Sequence, residues 1–170
     1  MPHTVEPRLV APKMPKIELT PLGPSAIASA SAIKLENAQL AHAYLNERGD
    51  PALFACSGTK LASGTDRLVI VSRYRMLLVR WRFGRPVFKE HRLLDLRGIT
   101  CDGDAGAWGF GEGSRVQIKT SRLQEAAQAT LHAHALITLC LDLPKLALSL
   151  PNEWGALGFG DEGKEIDMVC

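Results

Sequence analysis

From Leu53 to Thr120 the pattern of apolar positions is that of extended chain, and on either side of that stretch apolar positions recur at helical spacing. The alternating region predicts strands at about 53–58, 60–63, 67–73, 75–83, 86–92, 94–102, 107–111 and 114–120. The clearest are Leu68-Val69-Ile70-Val71 and Met76-Leu77-Leu78-Val79, joined by the hairpin candidate Ser72-Arg73-Tyr74-Arg75. Glycines, Gly58 and Gly84 among them, fall near the inferred turns, where a missing Cβ costs least. Short strands at this spacing specify an antiparallel barrel or sandwich.

Before the strands, Ile33, Leu40, Ala41, Tyr44 and Leu45 form a helical stripe. It predicts one helix from about Ala32 to Arg48, capped by Ser31 and ended by Gly49 and Pro51. After the strands, Ser121-x-x-Gln124 reads as a capping box. Leu123, Ala127, Thr130, Leu131, His134, Ile137 and Leu141 then run down one face of a helix that Pro144 should end. Residues 1–28, rich in proline, are expected to form a flexible arm, residues 29–150 the folded domain, and residues 151–170 a Gly-rich acidic tail without order. Leu146, Leu148 and Leu150 alternate, which suggests a short extended piece just before that tail.

Composition changes this picture little. The 170 residues are 46% hydrophobic and 22% charged, with a net charge of +2, which fits a globular domain of one core. No apolar run is long enough for a bilayer-spanning helix. Met1 to Leu9 lacks the pattern of a secretory signal, so a cytoplasmic protein is expected. The four cysteines, Cys56, Cys101, Cys140 and Cys170, are scattered with no C-x-x-C pair. They are expected to remain reduced, with Cys56 and Cys140 as core residues, and no zinc site or other cofactor is expected.

Charge is distributed unevenly. Arg73, Arg75, Arg80, Arg82, Arg85, Lys89, Arg92 and Arg97 stand in one window against Glu90 and Asp95 alone, so the rest of the chain is net acidic. Strand alternation puts Leu77, Val79 and Trp81 on one face and Met76, Leu78, Arg80 and Arg82 on the other. Arg80 and Arg82 therefore project together toward the turn Phe83-Gly84-Arg85. The same residues on a merely solvated strand face would serve solubility and edge protection.

Other chemistry has less support. His132 and His134 lie two apart on a helix and face different ways, so they make a poor metal pair, and His134 reads as a core histidine. His91 reads as a surface residue. The glycine run from Gly103 to Gly113 has no following Lys-Ser/Thr and precedes a strand, unlike a phosphate loop. No G-x-S-x-G or nucleophile–histidine pattern appears, so catalysis is not expected. Tyr74, Trp81 and Phe83 interleave with arginines, but a nucleic-acid partner is not expected.

Seven or so antiparallel strands closed by a C-terminal helix, from Thr59 to Leu143, resemble a divergent pleckstrin-homology domain. More narrowly, the chain resembles the N-terminal domain of CARMIL-type leucine-rich-repeat proteins. The resemblance rests on Asp66-Arg67-Leu68-Val69-Ile70-Val71-Ser72-Arg73-Tyr74-Arg75-Met76-Leu77-Leu78-Val79, on Leu94-Asp95-Leu96-Arg97-Gly98-Ile99-Thr100-Cys101, and on Val116-Gln117-Ile118-Lys119-Thr120 with the helix up to Leu141-Asp142-Leu143-Pro144.

This resemblance implies a PH-like antiparallel barrel or sandwich, mainly β with α, preceded by a helical extension. It implies a non-catalytic membrane-targeting or scaffold module of an actin-regulatory protein, peripheral at the plasma membrane or cytoskeleton. Its cytoskeletal partners would be engaged through regions beyond the domain. An anionic phospholipid surface would meet Lys60, Arg80, Arg82, Phe83 and Arg85, with Phe83 as an apolar wedge. Phosphoinositide-selective relatives carry a basic pair or triple around the first hairpin, whereas Cys56 to Ser63 holds only Lys60. Weak binding without headgroup choice is therefore implied. The alternative is a protein-interaction adaptor without lipid affinity, working through the first helix and the proline-rich arm or by pairing with a second copy.

Overall fold

The structure, a computed structural model, describes residues 19–111, 113–149 and 167–169, with side chains for all of these except 140–149 and 167–169. Helices α1 (Pro24–Ser31) and α2 (Leu35–Asn46) lead into strands β1 (Ala52–Lys60), β2 (Thr65–Ser72), β3 (Arg75–Arg82) and β4 (Arg85–Arg92). A 3₁₀ turn at Leu93–Asp95 connects to β5 (Leu96–Asp102), β6 (Ala105–Phe110) and β7 (Ser114–Lys119), then to helix α3 (Leu123–Ser149) and a short β8 (Asp167–Val169). The sheet order is β4-β3-β2-β1-β7-β6-β5-β8. The first seven strands pair antiparallel, and β8 joins β5 in parallel.

The protein is mainly β with α, a sandwich-like antiparallel sheet with a C-terminal helix and an N-terminal helical part, as the hydrophobic pattern specifies. Strand β1 touches β7 at only two register positions, Thr59↔Lys119 and Lys60↔Ile118. The sheet turns a corner there and folds over itself. Gly58 makes the corner possible. A Cβ at this position would lie 2.6 Å from Ile118 Cγ2 and 3.2 Å from the Lys119 carbonyl, so glycine serves close backbone approach inside β1 rather than a turn.

Alternation divides the apolar residues of β1–β4 between two cores. Cys56, Val69, Met76 and Leu78 face inward onto Trp108, Val116 and Ile118, with Ala126, Ala129 and Ala133 of α3 closing that core. Ala55, Leu68, Ile70, Leu77 and Val79 face outward and are covered by Ile27, Ala38, Ala41 and Leu45 of α1 and α2. Each large side chain buried fully in this way contributes roughly 1.5–3 kcal/mol. The alanines on α2 and α3 hold both helices close to the sheet.

The helical extension differs from the single helix expected. Pro24 sits at the start of α1, where its missing N–H costs nothing; helix therefore begins inside the segment expected as a flexible arm. Ala32, at φ 53°, breaks the run into two. Ser31 ends α1 rather than capping the next helix, and its hydroxyl donates to the Ile27 carbonyl. Leu40 is exposed, because the face of α2 that packs is Ala38, Ala41 and Leu45. Gly49, at φ 60°, follows α2 as expected.

Beyond it, Asp50 is fully buried and fixes the β2–β3 turn. Its carboxylate lies 2.7 Å from Ser72 Oγ, 2.8 Å from Arg75 Nε and 3.1 Å from the Tyr74 N–H. Burial pushes the Asp50 carboxyl above its ordinary value, while these partners pull it back.

The strands agree with the alternation, except that 53–58 and 60–63 are one strand and a turn. At the entry to α3 the hydroxyl that accepts a backbone N–H is Thr120, from Arg122 at 3.2 Å, not Ser121. The helix passes through Pro144 to Ser149, so the extended piece expected at Leu146–Leu150 is helical as far as Ser149. The proline removes one intrahelical bond but does not end the helix. His134 is buried as expected, with Thr138 Oγ1 3.4 Å from its Nδ1.

Cys56 is buried and free, but Cys101 is disulfide-bonded, against the expectation of reduced thiols. The expected arm before residue 19 and most of the expected tail lie outside the described residues, and the tail positions that are described, 167–169, form β8.

Candidate functional site

In an antiparallel meander the β1–β2 and β3–β4 turns lie at the same end of the sheet. Toward that end the inward-facing positions change from apolar to basic. One cross-strand row reads Cys56, Val69, Leu78 and Lys89. The next holds Gly58 paired with Arg67, and Arg80 paired with Val87. The last holds Lys60 opposite Thr65, and Arg82 opposite Arg85. The inner face is thus a closed apolar core at α3 and a cationic mouth at the hairpin end.

The cations in this mouth feel one another. The Lys60 ammonium is held below its ordinary pKa first by Lys89, then by burial, then by Arg67 and Arg80. Arg67, only 8% exposed, is lowered by burial and by Arg80, and raised by Asp66 beside it. Its guanidinium donates to Thr65 Oγ1 and, at 2.9 Å, to the Asp66 carbonyl.

Several arginines elsewhere are ion-paired. Arg75 pairs with Asp50 and Glu90, Arg92 with Asp95, and Arg122 with Glu125. Among the described residues, none of Lys60, Arg80, Arg82, Arg85 and Lys89 forms an ion pair. Lys60, Arg67, Arg80 and Lys89, one on each of β1 to β4, with Asp66 at their margin, make an anion-attracting field.

The tip beside this mouth is apolar. Phe83 is 93% exposed and adopts φ 52°, followed by Gly84 at φ 73°. This left-handed pair matches the primed hairpin turn that two-residue loops favour. For phenylalanine the conformation is strained, and strain of this kind collects at functional positions. Arg82 lies over the Phe83 ring, its guanidinium carbon 5.7 Å from the centroid. Leu61 is exposed on the neighbouring β1–β2 turn.

Replacing Phe83 with asparagine, which tolerates the left-handed region, should stabilise the fold by roughly 1 kcal/mol. A higher denaturant midpoint with an unchanged slope checks this.

His91 completes the inner wall. It stacks on Phe110 with ring centroids 4.8 Å apart, and its Nε2 is buried without a partner. It is therefore a core residue at the edge of the mouth, not the surface residue its neighbours Glu90 and Arg92 suggested. Burial, then Lys89, then Lys60 depress its pKa below the usual 6.5. The unfolded chain takes up this proton near pH 6.5 while the folded chain resists it. Stability at this site is therefore present above that pH and lost as pH falls from it toward the depressed folded value. Denaturant midpoints measured from pH 7.5 to 5 should fall, and the fall should be smaller in His91→Gln.

The structure brings Lys60 and Arg80 together and sets Arg82, Phe83 and Arg85 at the adjacent hairpin tip. It adds Arg67, and Lys89 of the basic window, neither of which sequence reading assigned to the binding set. Their signal was present: both share strand parity with the inward-facing Val69 and His91. The first hairpin is accordingly more basic than Lys60 alone suggested.

A second concavity of about 510 Å³ opens on the outer face, lined by residues including Ser31, Ser57, Asp66, Trp81, Asp104 and Lys119. It carries both signs of charge, and Asp104 and Lys119 approach to 3.7 Å within it. Among the described residues no group of three His, Cys, Asp or Glu is placed to hold a metal. Nor is any helix there long and apolar enough to cross a membrane. No protein-family model matches this sequence, and no curated protein matches it.

Proposed function

We propose that this domain is a non-catalytic targeting module that attaches weakly to anionic phospholipid surfaces through the cationic mouth, in the manner of a PH-like domain. The observation that carries this reading is the pairing of Lys60, Arg80 and Lys89, none of them ion-paired among the described residues, with an almost fully exposed Phe83 at the same end of the sheet. Cations attract the headgroup layer, and an aromatic tip gains by entering the interface. Each basic residue near an anionic surface contributes about 1 kcal/mol, so binding is weak and non-selective.

The sequence resemblance to CARMIL-type proteins supports placing the module in a cytoskeletal regulator at the inner membrane surface, with actin-regulatory partners engaged by other regions. Sedimentation with vesicles tests the reading. The domain should pellet with phosphatidylserine-containing vesicles and stay in solution with phosphatidylcholine alone. Phe83→Asn should bind less while remaining folded. Equal partition to both vesicle types would overturn the proposal.

The adaptor reading keeps one observation of its own. Leu136 and Leu139 are exposed on α3 beyond the part that closes the core. If the domain acts through that face or by pairing with a second copy, Leu136→Glu and Leu139→Glu should abolish its interaction without changing vesicle binding.

A further inference from the structure

We infer that the open edge of β4 takes an added strand, an extended peptide carrying two acidic residues four apart with an apolar residue midway between them. β4 stands at the end of the sheet order and, among the described residues, pairs with β3 alone. Phe83 and Gly84, both at positive φ, make a two-residue hairpin loop, so Arg82 and Arg85 are the first hydrogen-bonded pair. Such pairs alternate along an antiparallel ladder. Val87, Lys89 and His91 therefore turn their N–H and C=O groups to β3, and Pro86, Phe88 and Glu90 turn theirs outward. Among the described residues nothing bonds to these outward groups. Pro86, which has no N–H, occupies a position where the β3 ladder needs none.

The side chains choose the partner. Arg85, Val87 and Lys89 share one face of β4 and are exposed, and neither cation is ion-paired among the described residues. Glu90 lies on the other face, held by Arg75 at 3.2 Å and Arg48 at 3.5 Å, so it does not repel an acid placed on this one. Directly opposed residues of paired strands bring their Cβ atoms to about 5 Å. Carboxylates opposite Lys89 and Arg85 then meet unpaired cations, and the apolar residue between them covers Val87, which is 38% exposed. A second copy of β4 is the wrong occupant. Centred on Phe88, it would gather Arg85 and Lys89 of both chains on one face, and like charges across strands destabilise pairing. A basic edge resists chance pairing, and an acidic strand is what it admits. Backbone bonds give the affinity and alternate side chains the selectivity. This surface goes beyond the membrane reading, which uses side chains and no backbone edge.

Amide exchange followed by NMR on the whole chain tests the inference, with a synthetic peptide holding Glu-Thr-Val-Thr-Glu at its centre. Added in excess, it should slow exchange at the Phe88 and Glu90 N–H groups at least about tenfold and leave β1 and β2 unchanged. The same peptide with lysine for glutamate should have no effect. N-methyl groups on the peptide amides that face β4 should abolish the slowing, which separates strand addition from charge attraction. Arg85→Glu with Lys89→Glu should reverse the preference, binding the lysine peptide and not the acidic one. Equal slowing by the methylated and unmethylated peptides would overturn the inference. So would protection of Phe88 and Glu90 by phosphatidylserine vesicles with none from the peptide, an outcome that assigns the edge to the membrane.

Discussion

Reversing Arg80 and Arg82 to glutamate should reduce partition onto anionic vesicles by at least roughly 30-fold. Losing two contacts at about 1 kcal/mol each gives that factor, and the new carboxylates add repulsion from the surface. Fold stability should change by less than about 0.5 kcal/mol, because both side chains are exposed and neither is ion-paired. The matched control is Arg73→Glu with Arg97→Glu, which alters net charge equally. Arg73 lies on the β2–β3 turn at the opposite end of the sheet, and Arg97 lies on β5. If attachment follows overall charge, the two double variants lose binding alike. If it follows the mouth, only the first does. Vesicle sedimentation with circular dichroism on the same samples separates the outcomes.

Truncating Trp108 to alanine should cost about 3–5 kcal/mol, enough to unfold a domain of ordinary stability. Among the described residues Trp108 is the largest fully buried side chain. It stands on β6 in the core shared by both halves of the sheet and by α3. Its indole Nε1 donates to Thr130 Oγ1 at 3.2 Å, and that hydroxyl in turn donates to the Ala126 carbonyl at 2.7 Å. The truncation therefore opens a cavity and unties the helix from the sheet together. Thr130→Val keeps the shape but leaves the indole N–H unpaired in the core, which costs about 1–3 kcal/mol. Urea denaturation of the two variants should rank them in that order. Equal midpoints would show that the helix docks independently of Trp108.

The strands were legible as short continuous apolar runs between turn residues, which is how strands buried on both faces read; which of Met76, Leu77, Leu78 and Val79 faces which core is fixed by the partners of each face. The helices were less so. Ala32 breaks the extension by adopting a left-handed conformation that nothing in its residue type announces. Pro144 falls within α3, where the rule that proline stops a helix yields to local accommodation.

At the site, Arg80, Arg82 and Phe83 followed from parity and the turn. Arg67 and Lys89 were missed because their strands were assigned without asking which residues face inward beyond the apolar core. His91 was misjudged because flanking charges describe the other face of a strand, not its own. The disulfide at Cys101 has no signal in the scattered spacing of the four cysteines.

A salt series on the unmodified domain tests the central claim most directly. With vesicles containing phosphatidylserine, attachment through the mouth predicts strong binding near 0.02 M salt and little near 0.5 M, as the screening length shrinks well below about 10 Å. Binding that persists unchanged across the series, or that is missing at the lowest salt, would contradict attachment through Lys60, Arg67, Arg80 and Lys89.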